Sequence, residues 1–263
     1  MIFHQDFNKK LLALIAVGES LKGTRARKDD KILDAEALLL KFVYHCSTLD
    51  HLLKKTPSPL NNGGCFIDFA SIIPIIRAAI ENALSFTFIF ALPQSKHELE
   101  LRYLLWLYNG IQQLTKEKPI LEQNAEVYYS LKRQLNSLEG QIKENKIFKS
   151  MQPKYAKNIL KTGRSRFREV DDGKFENVAW ADIAVEAGFD DTVAKQLYSF
   201  LSSYAHSDSL CISHIRLVKN ESDKLQILDG PFDILEYIMG NMANRYVSII
   251  RGLNESSQGL STL

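Results

Sequence analysis

Apolar residues recur along most of this chain at intervals of three and four, the period of an α-helix with one buried face. Residues 3–21 carry Phe7, Leu11, Leu14 and Ile15 at that spacing; residues 31–55 carry Leu33, Ala37, Leu38, Leu40, Phe42 and Leu49. Lys22 to Asp30 between them is a charged connector. Thr56 to Gly64 holds two prolines and an Asn-Asn-Gly-Gly run, which predicts a loop. The most apolar stretch follows, FIDFASIIPIIRAAIENALSFTFIFAL over residues 66–92, and it predicts the central core helix. At 100° per residue Ser71, Pro74, Arg77, Glu81, Asn82 and Ser85 share one narrow arc, while Ile72, Ile73, Ile76, Ala79, Ile80, Ala83 and Phe90 fill the rest. With Ser71 as N-cap, Pro74 falls in the first turn, where its missing N–H costs nothing; with Asp68 as cap, a kink at Pro74 is expected. Pro93 marks the end. Arg77 and Glu81 interrupt the stretch, so no run of about 18 uncharged apolar residues exists and a membrane span is not predicted.

Downstream, Ser95 caps a helix to about Lys116 whose buried face is Leu101, Leu104, Leu105, Leu107 and Tyr108. A long charged helix over 119–147 repeats Leu121, Val127 or Tyr128, Leu131, Leu135, Leu138 and Ile142, which suits one arm of a helical hairpin or a homodimer surface. Residues 148–174 mix basic side chains with Pro153, Gly163 and Gly173 and lack sustained periodicity, so 143–174 reads as a mobile basic insertion. Residues 175–206 give a short helix, a turn at Gly188 and a longer helix from near Asp190. Two apolar groups flank a polar turn between Cys211 and Asp229, the pattern of a small hairpin. Pro231 opens a last helix to about Leu253, and 254–263 reads as a disordered tail. The fold class expected is an all-α multi-helix bundle, one domain over 1–253, with room for one small β-hairpin near the C-terminus.

The 263 residues are 45% apolar and 24% charged, the balance of a globular chain. Cys46, Cys65 and Cys211 are far apart and form no CxxC pair, which argues against a disulfide framework or a zinc site and for a reducing cytoplasm. The start, MIFHQDFNKKLLALIAVGES, puts an acid before its lysines and has only a short apolar run, so it reads as an amphipathic helix rather than a signal peptide. His45 and His51 lie six apart on different helix faces, no HExxH occurs, and Asn61 to Gly64 lacks the Lys-Ser/Thr of a phosphate loop. Neither a metal nor another cofactor is expected. Charge is uneven: Lys143 to Arg168 holds nine basic residues against Glu144, a local +8, leaving −6 for the rest of a chain whose total is +2. Lys154, Lys157, Lys161, Arg164, Arg166 and Arg168 form the expected basic patch, suited to an anionic partner such as RNA; a solvated linker produces the same asymmetry.

Two polar stripes stand out. Arg77 and Glu81 are helical neighbours in apolar surroundings, where a charge needs a partner; exposed, the same pair is an ordinary surface link. Lys195, Tyr198, Ser202 and His206 follow one another at three, four and four residues, while Val193, Ala194, Leu197, Leu201 and Tyr204 form the opposite, core face. A histidine beside hydroxyls suits acid–base chemistry or a grip on phosphate. Both stripes lie on helices expected inside a bundle, so they are predicted to face each other across one cleft, forming a ligand site of Arg77, Glu81, Tyr198, Ser202 and His206.

IIRAAIEN (75–82) followed far downstream by YSFLSSYAHSD (198–208) resembles a bacterial all-helical family of unknown function, with an Arg-x3-Glu helix and a late Tyr-x3-Ser-x3-His helix. That family is similar to the HEPN group of helical nucleases and nucleic-acid-associated proteins. The resemblance implies an anionic ligand, RNA among them, a bacterial stress or phage-defence setting and, alternatively, metal-independent ribonuclease activity with His206 as acid or base and Arg77 stabilising phosphate charge. HEPN ribonucleases carry an Arg-x4-6-His motif within one helix; this sequence departs from it, with Phe200, Leu201 and Ser202 rather than an arginine upstream of His206, so on the resemblance the cation is expected from Arg77 on another helix. Trp180 to Phe200 also has a helix-turn-helix look, but five acids against Lys195 from Trp180 to Cys211 disfavour sequence-specific DNA binding. Asp190 and Asp191 read instead as an N-terminal cap.

Overall fold

The computed structural model describes residues 2–21, 30–57, 64–116 and 125–258. Most of the expected connector at 22–30, the loop at 58–63, the start of the 119–147 helix and residues 259–263 of the expected tail lie outside the described residues. The protein is an all-α multi-helix fold with small antiparallel strand pairs. It divides into two compact units, the first made of Met1–Thr87 and Ala184–Leu263, the second of Phe88–Ile183 inserted between those halves.

In the first unit α1 (Ile2–Leu21), α2 (Asp30–Leu53) and α3 (Phe69–Phe86) are followed, after the insertion, by α9 (Asp191–Ala205), α10 (Ser209–Leu217) and α11 (Glu221–Gln258). α3 is central and packs on α2, α9 and α11. Its Ile72, Ile73, Ile76 and Phe86 are fully buried, as are Phe7, Phe42, Phe232 and Tyr246 from its neighbours. Asp68 is the α3 cap, accepting the Ser71 backbone N–H at 3.1 Å. Pro74 therefore sits in the second turn and leaves the Ala70 carbonyl without its helical donor. Although 69–91 is long and apolar enough to cross a membrane, 67% of that window is buried inside the protein, as a core helix requires. β1 (Thr56–Pro57) and β2 (Cys65–Phe66) pair across the loop before it.

From Thr87, the last residue of the first segment, a π-helical turn (Thr87–Ala91) leads into the second unit, with α4 (Lys96–Leu114), α5 (Ala125–Glu144), α6 (Lys146–Ser150), α7 (Pro153–Thr162), β3 (Phe167–Asp171), β4 (Lys174–Asn177) and the start of α8 (Trp180–Glu186), whose last three residues return to the first unit. Ser95 caps α4, as its sequence predicts, accepting the Glu98 N–H at 3.1 Å. α5 packs on α4 as the second arm of a helical hairpin. Buried Arg102 is satisfied by Glu98 at 2.6 Å and by the Phe88 carbonyl at 2.7 Å.

Three expectations change. Residues 143–174 form α6, α7 and a strand rather than an irregular insertion, and Phe148, Met151, Ile159, Phe167 and Phe175 are buried in one core with Leu101, Leu105 and Tyr108. The hairpin lies at 167–177, where Asp171-Asp172-Gly173 makes the turn with Gly173 at φ 64°, and not at 211–229. Its Phe167 and Phe175 stack edge to face inside. Residues 211–229 are helical because Asp208 caps α10 and Asn220 accepts the Asp223 N–H at 2.8 Å at the start of α11. α11 thus begins ten residues before Pro231 and runs through 254–258, part of the expected tail.

Candidate functional site

The two stripes in the first unit do meet at one point. α9 lies against α3, and Arg77 on α3 donates through Nε to Glu81 Oε1 at 2.9 Å and through Nη2 to the Tyr198 hydroxyl on α9 at 3.0 Å. Its guanidinium carbon stands 5.1 Å from the Tyr198 ring centre. The Arg77 and Glu81 side chains are 16% and 29% exposed, so the pair is largely sheltered from water. Burial works against the Arg77 charge, but the Glu81 hydrogen bond and charge, aided by Tyr198, outweigh it and raise the guanidinium above its ordinary range. Arg77 Nη1 is buried with no hydrogen-bond partner among the described residues.

Ser202 and His206 do not join this cluster. Both follow Tyr198 down α9, His206 by eight residues or about 12 Å of helix rise. His206 is the exposed C-cap, its backbone N–H donating to the Ser202 carbonyl at 3.0 Å. Among the described residues no side-chain hydrogen bond links Ser202 or His206 to Arg77, Glu81 or Tyr198. Lys195 pairs with Asp191 at 2.8 Å on the outer face, and Val193 is 42% exposed rather than in the core. Asp190 caps α9 through the N–H groups of Thr192 and Val193, as its sequence predicts. Arg77, Glu81 and Tyr198 thus form an interhelical clamp, with Arg77 Nη1 left over.

The sequence reading missed two polar contacts nearby in the chain fold. Tyr204 is hydrogen-bonded to His214 Nδ1 on α10. Arg245 on α11 donates to the Thr87 hydroxyl at 2.7 Å and to the Ala187 carbonyl at 2.9 Å; burial lowers its pKa, opposed by Tyr237. Isolated polar residues on helices give no spacing signal that announces such contacts.

The basic patch in the second unit is built differently. Gln152 precedes Pro153, which opens α7 at a position where no N–H is needed. Ile159 faces the core, with Tyr155, Ala156 and Leu160 half-buried beside it. Lys154, Lys157 and Lys161 are left on one exposed arc of about 60°. The last carbonyls of α7 are held by α4: Tyr108 donates to Leu160 O at 3.2 Å, Gln112 to the same oxygen at 2.9 Å, and Asn109 to Gly163 O. Gly163 ends the helix in the left-handed region at φ 63°, and a Cβ there would collide with the Gln112 side chain. This turn delivers Arg164 to the rim of a groove lined by Tyr155, Asn158, Thr162, Arg166 and Asn177.

The six predicted cations thus divide. Arg168 is paired with Glu176 at 2.8 Å across the hairpin, and Arg166 lies 4.0 Å over the Trp180 ring. Lys154, Lys157, Lys161 and Arg164 have no carboxylate partner among the described residues. Lys143 and Lys149, at the edge of the same segment, are paired with Glu139 and Glu144. No family model matches this chain, and neither the curated proteins nor the solved structures hold a significant match to it.

Proposed function

We propose that this protein binds RNA through the α7–hairpin face of its second unit. The observation that carries the reading is the row Lys154, Lys157 and Lys161, exposed on one helix face without carboxylate partners among the described residues, on the same helix that gives Tyr155, Asn158 and Thr162 to a groove also lined by Arg164. Successive lysines rise about 4.5 and 6 Å along the helix, close enough to meet neighbouring phosphates of a single strand. Asn158 and Asn177 offer donors and acceptors to base edges or a ribose hydroxyl and Tyr155 supplies an aromatic wall, while the one acid of the groove, Glu176, is paired with Arg168. The HEPN-like resemblance of 75–82 and 198–208 points to the same ligand class, and a bacterial stress or phage-defence role is proposed on that resemblance. Binding is preferred to ribonuclease activity because the His206 ring and the Arg77 clamp share no hydrogen bond that would set up an acid–base pair.

Fluorescence anisotropy with a labelled single-stranded RNA tests it. Replacing Lys154, Lys157 and Lys161 together by glutamate is expected to weaken binding by at least about 100-fold and, as lysine-to-alanine changes, to lower the slope of log K against log salt by about 2. Circular dichroism should show unchanged helicity. Equal affinity for the variants, or salt-independent binding by the native chain, rejects the reading; tighter binding to single-stranded DNA than to RNA rejects the choice of ligand. RNA cleavage by the native chain that is lost in His206→Ala would favour the nuclease alternative instead.

A further inference from the structure

α2 is apolar on two opposite faces, and the described residues cover only one. Ile32, Ala35, Leu39, Phe42, Cys46 and Leu49 are buried, against α1 and α3. On the other side Leu33, Leu40 and Tyr44 are 45%, 46% and 61% exposed, and Ala37 between them is exposed as well. Single exposed apolar residues are ordinary on a protein surface. These four are not scattered: their spacing is four, three, four, the a/d alternation of a heptad seam, and at 100° per residue they fall within about 60° of one another.

The charges beside the stripe say what fits it. With Leu33 and Leu40 at d and Ala37 and Tyr44 at a, Lys41 is an e position, Asp34 the preceding e and Glu36 the intervening g. Against a parallel copy of the same helix, the g residue Glu36 faces the partner's e position, Lys41, and the two-fold axis makes that pair twice. Against an antiparallel copy, e faces e, and Lys41 meets Asp34, again twice. In either direction the one lysine flanking the seam is opposed by a carboxylate of an identical helix, while apolar side chains meet apolar side chains between them. A self-complementary patch is what a two-fold interface requires. We infer that the outer face of α2 is a homodimer seam, occupied by α2 of a second copy of this chain. The inference is independent of the RNA reading, since it concerns the first unit and the lysine row belongs to the second.

Sedimentation equilibrium or light scattering on the full chain, from about 1 to about 200 µM, is expected to show a monomer–dimer equilibrium. Leu40→Glu should raise the dimer Kd by at least about tenfold with helicity unchanged, because a glutamate at this half-exposed position can keep its carboxylate in water in the monomer but not in the seam. Lys41→Glu should weaken the dimer as well, and a second change should restore it: Glu36→Lys if the helices run parallel, Asp34→Lys if antiparallel. A native chain that stays monomeric over the whole range overturns the inference, whatever else the stripe is then found to bind. So does a dimer whose Kd is the same in Leu40→Glu, which would place the contact elsewhere, for example on α5.

Discussion

The charged clusters of the two units illustrate opposite fates of a polar stripe on an apolar helix. In the first unit Arg77 is 16% exposed, and its two donating contacts are already made to Glu81 and Tyr198. In the second unit Lys154, Lys157 and Lys161 stand in solvent, on a helix whose backbone is fixed by side chains of α4. Both stripes read as binding candidates from sequence. What separates them is whether the fold supplies the counter-charge. A sheltered, paired arginine holds helices together; a row of lysines without carboxylate partners among the described residues keeps its charge in solvent.

Substitutions can break or sharpen that contrast. The largest effect within the first unit is expected from Glu81→Ala, which leaves the Arg77 charge sheltered and without its counter-ion: about 2 kcal/mol less stability by chemical denaturation, and unchanged RNA affinity. Were this variant to lose RNA binding as the lysine variants should, the division between a structural and a binding cluster would collapse. Tyr198→Phe removes one hydrogen bond to a charged group while keeping the ring, and should cost about 1.5 kcal/mol by the same assay, again with RNA affinity intact. A smaller change is expected for pH. Burial, then the charge of Lys41, holds the His45 imidazole below its ordinary pKa, so the native chain resists a proton that the unfolded chain accepts below about pH 6.5. The stability that neutral His45 confers is therefore present above that pH and falls as pH drops toward its lowered native value. Thermal melts at pH 7.5 and 5.5 should differ less in His45→Gln than in the native chain. Least of all is expected from His206→Ala, an exposed C-cap position, where stability should move by under about 0.5 kcal/mol. A marked loss of RNA binding in that variant would move the binding face to the first unit.

Helix period and cap chemistry made much of this fold readable in advance. The alternation of Phe7, Leu11 and Leu14, the Ser95 cap and the Asp190 cap are each local, and local rules apply where the helix face is decided by neighbours in sequence. The Arg77–Tyr198 contact was legible too, since two mostly apolar helices with one polar stripe each must turn those stripes to something. Residues 148–177 were not, because their core positions, Phe148, Met151, Ile159, Phe167 and Phe175, are spread over two short helices and a hairpin, so no single period covers them. Conversely Ile212, Ile215 and Leu217 suggested a buried strand but are exposed on α10. Apolar spacing shows which residues share a face and says nothing of whether the molecule covers that face; for the same reason Leu33, Ala37 and Leu40, expected among the buried positions of α2, are exposed.

The insertion of one unit within the other also sets an order of events during synthesis. The second unit is continuous in sequence, so its core can close as soon as Ile183 has left the ribosome. α3 emerges long before, yet two of its three packing partners, α9 and α11, are encoded after the insertion; the Arg77–Tyr198 bond spans 121 residues. Until then the most apolar helix of the chain has only α2 to lie against. A nascent chain halted after Ile183 would carry the whole sequence of the second unit and an isoleucine-rich helix still without α9 and α11, the kind of transiently uncovered apolar surface from which misfolding starts.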